Sequence, residues 1–156
     1  MEEILRKTKD VNARAHLFNT DVLPALLYGC ETWTIRETDK MKLLTTQRAM
    51  ERKVLQIRLR DRIRNEEIRK RTLFKDAYDD ATERKLRWAG HVARRHDNRW
   101  TQKVTFWCPW NYSRPQGRPP DRWRKQIEEK LGRSWQYEAN DRREFRRKLE
   151  DLLPHN

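Results

Sequence analysis

The chain has 156 residues, of which 39% are charged and 35% are hydrophobic. Globular chains average roughly 45–50% apolar and about 25% charged residues, so this composition excludes a thick core and favours one thin helical domain or two very small ones. Its 37 basic and 24 acidic residues give a formal net charge of +13, which attracts polyanions and favours nucleic acid as a partner.

The first predicted helix runs from about residue 3 to residue 19. Residues 22–28 then form the most apolar stretch of the chain. Pro24 either kinks the helix or restarts it, because proline is tolerated in a first turn. Gly29 and Cys30 lie where this helix would stop.

The second helix is predicted to begin at Thr38 or Asp39, since either side chain can cap a helix. A stripe of mostly apolar side chains then recurs at steps of four and three residues. This spacing is typical of a core-facing helix. The stripe comprises Leu43, Gln47, Met50, Val54 and Ile57.

A dense basic segment follows, with seven basic and three acidic residues between Arg58 and Arg71. Asn65 before Glu66 and Glu67 predicts a helix start, because acidic residues in a first turn interact favourably with the positive end of the helix dipole. The segment is either a phosphate-binding surface or simply a solvated charged face.

The stretch KDAYDDATERK (residues 75–85) contains adjacent aspartates, as polymerase metal sites do. The polymerase pattern has an aromatic residue two positions before the first aspartate, and here Ala77 occupies that position. No hairpin signal flanks the pair. We therefore predict a helix from about residue 75 to residue 95 that carries Asp79 and Asp80, with Asp80 spaced to pair with Arg84.

The remaining chain predicts a linker and further short helices. Trp100, Val104 and Trp107 have helical spacing that ends before Pro109, and residues 111–123 are rich in proline and arginine. Pro119 or Pro120 can open the next helix.

That helix carries Trp123, Ile127 and Leu131, and Gly132 can close it. Ser134 is predicted to cap a last helix, which Pro154 stops. The side chains expected to lie inward or partly inward on it are Trp135, Ala139, Arg142, Phe145, Leu149 and Leu152.

Cofactor and metal sites are not predicted. No phosphate-binding glycine loop or dinucleotide motif is present. His91, His96 and Cys108 are too few and too far apart for a zinc site, which needs four ligands. Two cysteines do not make a disulfide framework, and no apolar run is long enough to span a membrane. These features indicate an intracellular protein.

Four stretches together resemble one protein family. Their distinctive parts, in chain order, are a Tyr-Gly-x-Glu-x-Trp block, an Arg-Asp-Arg-x-Arg-Asn-Glu-Glu block, an Arg-Trp-x-Gly-His block and a Gly-Arg-Pro-Pro block. They lie within residues 22–35, 47–72, 85–100 and 117–127. The chain resembles, over nearly its whole length, the C-terminal region of the non-LTR (LINE-type) retrotransposon reverse transcriptases.

The resemblance implies an all-α, irregular multi-helix assembly in three regions. Residues 1–73 resemble the thumb, which grips the template–primer duplex in that family. Residues 74–110 form a helix with a connecting segment, and residues 111–156 form an arginine- and proline-rich linker with C-terminal helices. The family's palm and endonuclease lie upstream, and no position here matches their catalytic residues. The expectation is a truncated remnant without catalysis.

The predicted partner is RNA or an RNA–DNA duplex, bound through phosphate contacts without base specificity. The missing polymerase palm is a second possible partner. The candidate nucleic-acid-binding residues are Arg58, Arg60, Arg62, Arg64, Arg69, Lys70, Arg71, Arg94, Arg95, Arg99, Arg118, Arg122 and Arg124.

Two other functions compete with this interpretation. A metal-dependent nucleotidyl transferase or nuclease would use Asp76, Asp79 and Asp80. A helical interaction module would instead dock a partner, such as a palm, on the Leu43–Ile57 face without binding nucleic acid directly. Trp88 and Trp123 favour packing over base stacking, which leaves their neighbouring arginines to contact phosphate.

Overall fold

The computed structural model describes residues 2–95, 97, 99–107, 116–117 and 122–153. Regular structure in this described part is entirely helical, which confirms the all-α prediction. None of its helices is long and apolar enough to cross a membrane. In chain order the α-helices are α1 (Glu2–Lys7), α2 (Val11–Leu17), α3 (Leu23–Leu26), α4 (Glu37–Leu55), α5 (Asn65–Thr72), α6 (Ala77–Ala93), α7 (Trp100–Phe106), α8 (Trp123–Leu131), α9 (Trp135–Glu138) and α10 (Arg142–Leu152).

Packing divides the chain into two units. The described residues of unit 1 are 2–30 and 35–82, and those of unit 2 are 31–34 and the residues from 83 onward. The three predicted regions, residues 1–73, 74–110 and 111–156, stay a prediction. Phe74, Ala77 and Ala81 belong to the core of unit 1. α6 begins in unit 1, and its residues from Glu83 belong to unit 2.

The single helix predicted over residues 3–19 is wrong. The chain breaks between α1 and α2, where the Asp10 carboxylate accepts a hydrogen bond of 2.8 Å from the Asn12 N–H and caps α2. The chain then remains helical through a π-helical turn, Phe18–Val22, into α3. Pro24 occupies the first turn of α3, directly after the π-helical turn.

The core of unit 1 forms around two stacked rings. Phe18 and Phe74 have centroids 4.0 Å apart and planes 3° from parallel. Leu23, Leu27 and Cys30 are buried in the same cluster. Four of the five predicted stripe positions face inward: Gln47 and Val54 are buried, while Leu43 and Met50 pack against the cluster. The fifth, Ile57, lies beyond the end of α4 and lines an open groove.

Helix ends in unit 1 follow local chemistry closely. The predicted cap of α4 at Thr38 or Asp39 is wrong, because α4 begins at Glu37 with Arg36 as its cap residue. The Asp39 carboxylate lies in the first turn and accepts a 3.2 Å hydrogen bond from the Arg36 N–H. α5 begins at Asn65 as predicted, and buried Ile68 anchors it. α4 is followed by Gln56 in a left-handed conformation, φ 57°.

The core of unit 2 surrounds the fully buried Trp135. Leu86 and Ala89 of α6 pack in the same cluster as Ile127 of α8 and Phe145 of α10. Helix α8 ends before Gly132 (φ 88°) as predicted. Its predicted opening at Pro119 or Pro120, the linker prolines, Pro109 and Pro154 all lie outside the described residues.

The predicted last helix is two helices. α9 ends at Glu138, and α10 begins after Asp141, whose carboxylate accepts hydrogen bonds from the N–H groups of Arg143 and Glu144. The expected inward positions on this segment are confirmed for Trp135, Ala139, Phe145 and Leu149. The expectation was wrong for Arg142, which is exposed, and Leu152 is 47% exposed.

Candidate nucleic-acid interface

The segment between α4 and α5 presents a row of exposed arginines. A short 3-10 turn, Leu59–Asp61, is held by the Asp61 carboxylate, which accepts a 2.8 Å hydrogen bond from the Arg58 N–H. The next residue, Arg62, has a left-handed backbone with φ 50°. Four arginine side chains of this segment are exposed, namely Arg58, Arg60, Arg62 and Arg64.

The two helices that flank this segment fix its ends. The Arg52 Nη2 donates a 2.6 Å hydrogen bond to Asn65 Oδ1, which joins the last turns of α4 to the first residue of α5. Of the four exposed arginines, Arg60 forms a long ion pair, with its Nε 4.0 Å from Asp61 Oδ1. Within the described part of the chain, Arg62 and Arg64 form no ion pair. Their charges are therefore free to meet an anionic strand.

The basic residues of α5 divide into structural and exposed ones. Arg69 Nη2 lies 3.5 Å from Asp76 Oδ2, so this arginine helps to hold the fold. Arg71 is exposed and pairs with Glu67 at 2.9 Å, an exposed pair that contributes little to stability. Lys70 is exposed. Six of the seven candidates between Arg58 and Arg71 are therefore exposed on unit 1, and Arg69 is partly buried beside Asp76.

A buried polar cluster lies beneath this region, and the sequence analysis did not predict it. Arg48 donates to Glu51 and, at 2.8 Å, to Asp76. Gln47 donates to Glu51 at 3.0 Å and accepts from the Ala77 N–H at 2.7 Å. All four of these polar side chains are nearly or fully buried. The cluster joins α4 to the first turn of α6.

An open groove of about 790 Å³ runs beside the exposed segment in unit 1. Its lining combines the outward face of α4 with residues of the α4–α5 segment and the first turn of α6. Two large apolar side chains in it are well exposed: Met41 at 55% and Leu59 at 79%. Lys40, which also lines it, lies over the Tyr78 ring at 4.9 Å.

The candidate arginines of unit 2 are mostly engaged within the unit. Arg94 Nη1 donates a 2.8 Å hydrogen bond to the Ala139 carbonyl, and the Arg95 guanidinium lies 5.7 Å from the Trp88 ring centre. Arg99 pairs with Asp97 at 3.0 Å.

Two candidate arginines lie at the start of α8, Arg122 and Arg124, and Arg118 lies outside the described residues. Arg122 is exposed. Arg124 pairs with Glu128 at 2.7 Å and lies over the Phe106 ring at 5.6 Å, so it also contributes to packing.

The tryptophans near these arginines are half-buried. Trp123 Nε1 donates a 2.6 Å hydrogen bond to the Glu31 carbonyl. Trp88 lies beneath Arg95 and near the His91 ring, at 6.4 Å between ring centres. Both rings therefore serve the packing of unit 2. Among the described tryptophans, the most exposed are Trp100 on α7 and Trp107 just beyond it.

The acidic residues proposed for the enzyme alternative have structural partners. Asp76 accepts hydrogen bonds from Arg48 and from the Tyr78 N–H, which caps α6. Asp79 and Asp80 lie in the first turn of α6, not in a hairpin. Among the described residues, no three His, Cys, Asp or Glu side chains are grouped to hold a metal ion. His96 and Cys108 lie outside those residues.

A basic cluster at the end of α6 includes Arg142 of α10, which the sequence analysis did not predict as a binding residue. The pKa of His91 is lowered by partial desolvation, then by the positive charges of Arg94, Arg142 and Arg95. The pKa of Arg94 is likewise lowered by desolvation and by Arg142. Arg142 was expected to face inward, and no local signal places it beside residues about fifty positions earlier.

Comparison with known proteins gives one informative similarity. The chain is 40% identical, over 149 aligned residues, to a Caenorhabditis elegans protein described as a putative uncharacterized transposon-derived protein. The alignment covers 87% of this chain and 53% of the relative. The chain thus spans about half the length of the curated relative it matches. No protein-family profile matches the chain, and no solved structure matches it.

Proposed function

We propose that this chain corresponds to the thumb and C-terminal region of a non-LTR retrotransposon reverse transcriptase. In this proposal it holds RNA or an RNA–DNA duplex by phosphate contacts and has no catalysis of its own. The four motif blocks support the family assignment. The similarity to a transposon-derived protein of C. elegans supports a transposable-element origin.

The exposed arginines between α4 and α5 carry the nucleic-acid part of the proposal. Their side chains project from one short segment whose ends are fixed by the α4–α5 contact. Guanidinium groups suit bidentate contacts with phosphate oxygens, and a row of them follows a charged backbone without reading its bases. Lys70 and Arg71 extend the same basic region along α5.

Salt dependence tests this interface directly. Binding of the chain to a labelled RNA–DNA hybrid would be measured by fluorescence anisotropy between ~50 and ~200 mM salt. We expect affinity to fall steeply with salt. Replacing Arg62→Gln and Arg64→Gln together should flatten the log–log slope by about one to two, since each lost phosphate contact removes roughly 0.7–0.9.

A matched control separates local contacts from net charge. Arg146 and Arg147 on α10 also contribute two exposed charges, but they pair with Glu150 and Glu144. The double change to glutamine at these positions should leave the slope nearly unchanged. An affinity that ignores salt, or an equal effect of the two double variants, would contradict the proposed interface.

The absence of catalysis is tested separately. Asp76 is committed to a buried ion pair and a helix cap, and this favours a structural role over metal binding. A primer-extension assay with Mg²⁺ and purified chain should yield no product. Deoxynucleotide incorporation that disappears in Asp79→Asn or Asp80→Asn would instead support the enzyme alternative.

The groove of unit 1 favours a second candidate, a docking module for another protein element such as a polymerase palm. The Leu43–Ile57 face first considered for docking is largely used within unit 1, because Gln47 and Val54 are buried there. The exposed apolar side chains of the groove, Met41 and Leu59, offer a different surface. If docking is the function, Leu59→Ala, which changes no charge, should weaken partner binding while leaving nucleic-acid affinity unchanged.

A further inference from the structure

Four basic side chains converge in unit 2 where α6 ends and α10 begins. His91 lies in the last turn of α6, Arg94 and Arg95 follow that helix directly, and Arg142 is the first residue of α10. Arg94, Arg95 and Arg142 all lie close enough to His91 to act on its charge. The cluster therefore combines residues from two helices that are far apart in sequence.

A close approach of the two helices creates this cluster. A Cβ atom at Gly90 would lie 2.6 Å from Cε1 of Phe145, so only glycine allows the Phe145 ring to reach α6. Arg142 precedes Phe145 by three residues, which places both on one side of α10. The Arg94 guanidinium is oriented by its 2.8 Å hydrogen bond to the Ala139 carbonyl. The positions of the charges are thus determined by buried packing.

The cluster contrasts with seven other basic side chains of unit 2, each of which has a carboxylate partner. Within the described residues, none of the four cluster members forms an ion pair. The nearby carboxylates are engaged elsewhere: Asp141 caps α10 through two N–H groups, and Asp97 pairs with Arg99. Basic side chains with ion-pair partners in the same unit are Arg87, Arg99, Arg124, Lys125, Arg146, Arg147 and Lys148.

Like charges held together without a counter-charge repel each other, and a bound anion would remove that repulsion. We propose that His91, Arg94, Arg95 and Arg142 form a binding site for a phosphate group of a nucleic-acid strand. This inference rests on the proposed function, which supplies the polyanion, and it assigns a second contact region besides the arginines of unit 1. The Arg95 guanidinium lies over the Trp88 ring, 5.7 Å from its centre, and guanidinium groups suit bidentate contacts with phosphate oxygens.

The site should couple nucleic-acid binding to proton uptake. The charged groups that act on His91 are Arg94 and Arg95 from the end of α6 and Arg142 from α10, all cationic. Together with desolvation they lower the pKa of His91 below 6.5, so the imidazole is mostly neutral near neutral pH. A phosphate beside it favours the protonated form. Affinity should therefore rise as the pH falls through the raised pKa of His91 in the complex.

The first experiment measures anisotropy of a labelled RNA–DNA hybrid with the full chain at about pH 7.5 and about pH 5.5. We expect the wild-type affinity to rise, with about fivefold of the increase due to His91, as for one exposed ionic contact. His91→Gln should lose that part of the increase. Arg142→Gln should weaken binding at both pH values. Arg146→Gln, on the same helix but paired with Glu150, should behave as wild type.

The second experiment follows the His91 imidazole by NMR, assigned with the His91→Gln variant. Adding the same hybrid should raise the pKa of His91, and Arg142→Gln should reduce that rise. Binding of the hybrid without any change in the His91 pKa would overturn this site and leave the proposed function intact. Failure of the chain to bind nucleic acid at all would overturn both.

Discussion

The Arg48 guanidinium and the Asp76 carboxylate form a buried ion pair of 2.8 Å across 28 positions of sequence. Both side chains are less than a tenth exposed. Asp76 also caps α6 by accepting from the Tyr78 N–H at 3.0 Å. One carboxylate thus joins the middle of α4 to the beginning of α6, and it does so directly beside the proposed interface of unit 1.

Removing the charge of Asp76 should destabilise unit 1. Asp76→Asn keeps a side-chain oxygen for the cap but leaves Arg48 with a poorer partner, which costs about 3 kcal/mol for a buried pair. Urea unfolding followed by far-UV circular dichroism measures the loss. Glu67→Gln, which removes only the exposed pair with Arg71, should cost less than about 1 kcal/mol. Equal effects of the two changes would contradict a stabilising role for the buried pair.

Gly90→Ala should destabilise unit 2. The new methyl group would meet the buried Phe145 ring, and overpacking of this kind costs about 1–3 kcal/mol, partly offset by the better helix propensity of alanine. Tryptophan fluorescence during urea unfolding is the suitable probe, because the described tryptophans all belong to unit 2.

A second substitution tests whether that steric contact is the cause. Phe145→Leu removes the ring edge, so the double variant Gly90→Ala/Phe145→Leu should lose less stability than the sum of the single losses. Strict additivity in this cycle would show that the Gly90–Phe145 approach does not determine the packing.

Acid should weaken the C-terminal helices through Asp141. Hydrogen bonds from the N–H groups of Glu144 and Arg143 lower the pKa of this carboxyl from its ordinary value of 3.8. Its stabilising contribution is therefore fully present above pH 3.8 and is lost as the pH falls through the lower, folded-state pKa.

The matched variants for that effect are Asp141→Asn and Asp141→Ala. Asparagine also caps helices, so Asp141→Asn should retain most of the stability at neutral pH and lose its acid dependence, whereas Asp141→Ala should lose the cap at every pH. Thermal unfolding of each variant at several pH values compares them. An acid dependence that is identical in Asp141→Asn and the wild type would count against the cap.

Gln56→Gly should stabilise unit 1. Gln56 follows α4 with φ 57°, a conformation that costs a non-glycine residue about 1–2 kcal/mol. Glycine removes that cost but gains about 0.5–1 kcal/mol of unfolded-chain entropy, so the net gain is roughly 0.5–1 kcal/mol. Ala49→Gly, inside the same helix, should instead lose about 1 kcal/mol. Chemical unfolding monitored by circular dichroism measures the free energy of unfolding of both variants. A loss of stability in Gln56→Gly, or a gain in Ala49→Gly, would contradict the prediction.

The features predicted well from the sequence are those that depend on near neighbours along the chain. The four-and-three spacing of Leu43 through Val54 identified the inward face of α4, and the acidic residues after Asn65 located the start of α5. Asp79 and Asp80 lie in a helical first turn for the same local reason. The exposure of the arginines between Arg58 and Arg64 likewise follows from their high density of charge.

The features missed by sequence analysis depend on caps and on distant partners. Asp10 and Asp141 interrupt segments whose periodicity was read as continuous, because a capping carboxylate satisfies N–H groups that a longer helix would bond internally. Arg69 was predicted to face an anionic strand, yet it is partly committed to Asp76. The pairing of Arg69 with Asp76 cannot be predicted from residue spacing alone.

The sequence by itself determined the helical class, the excess of positive charge and the segment of closely spaced arginines between α4 and α5. These properties arise from composition and from periodicity within one or two turns. Tertiary structure alone decided which charges are buried in pairs and which are left without them. Arg48 pairs with Asp76, and the charge of Arg142 acts on His91, because separate helices pack against each other there. The charge of a residue does not specify its neighbours.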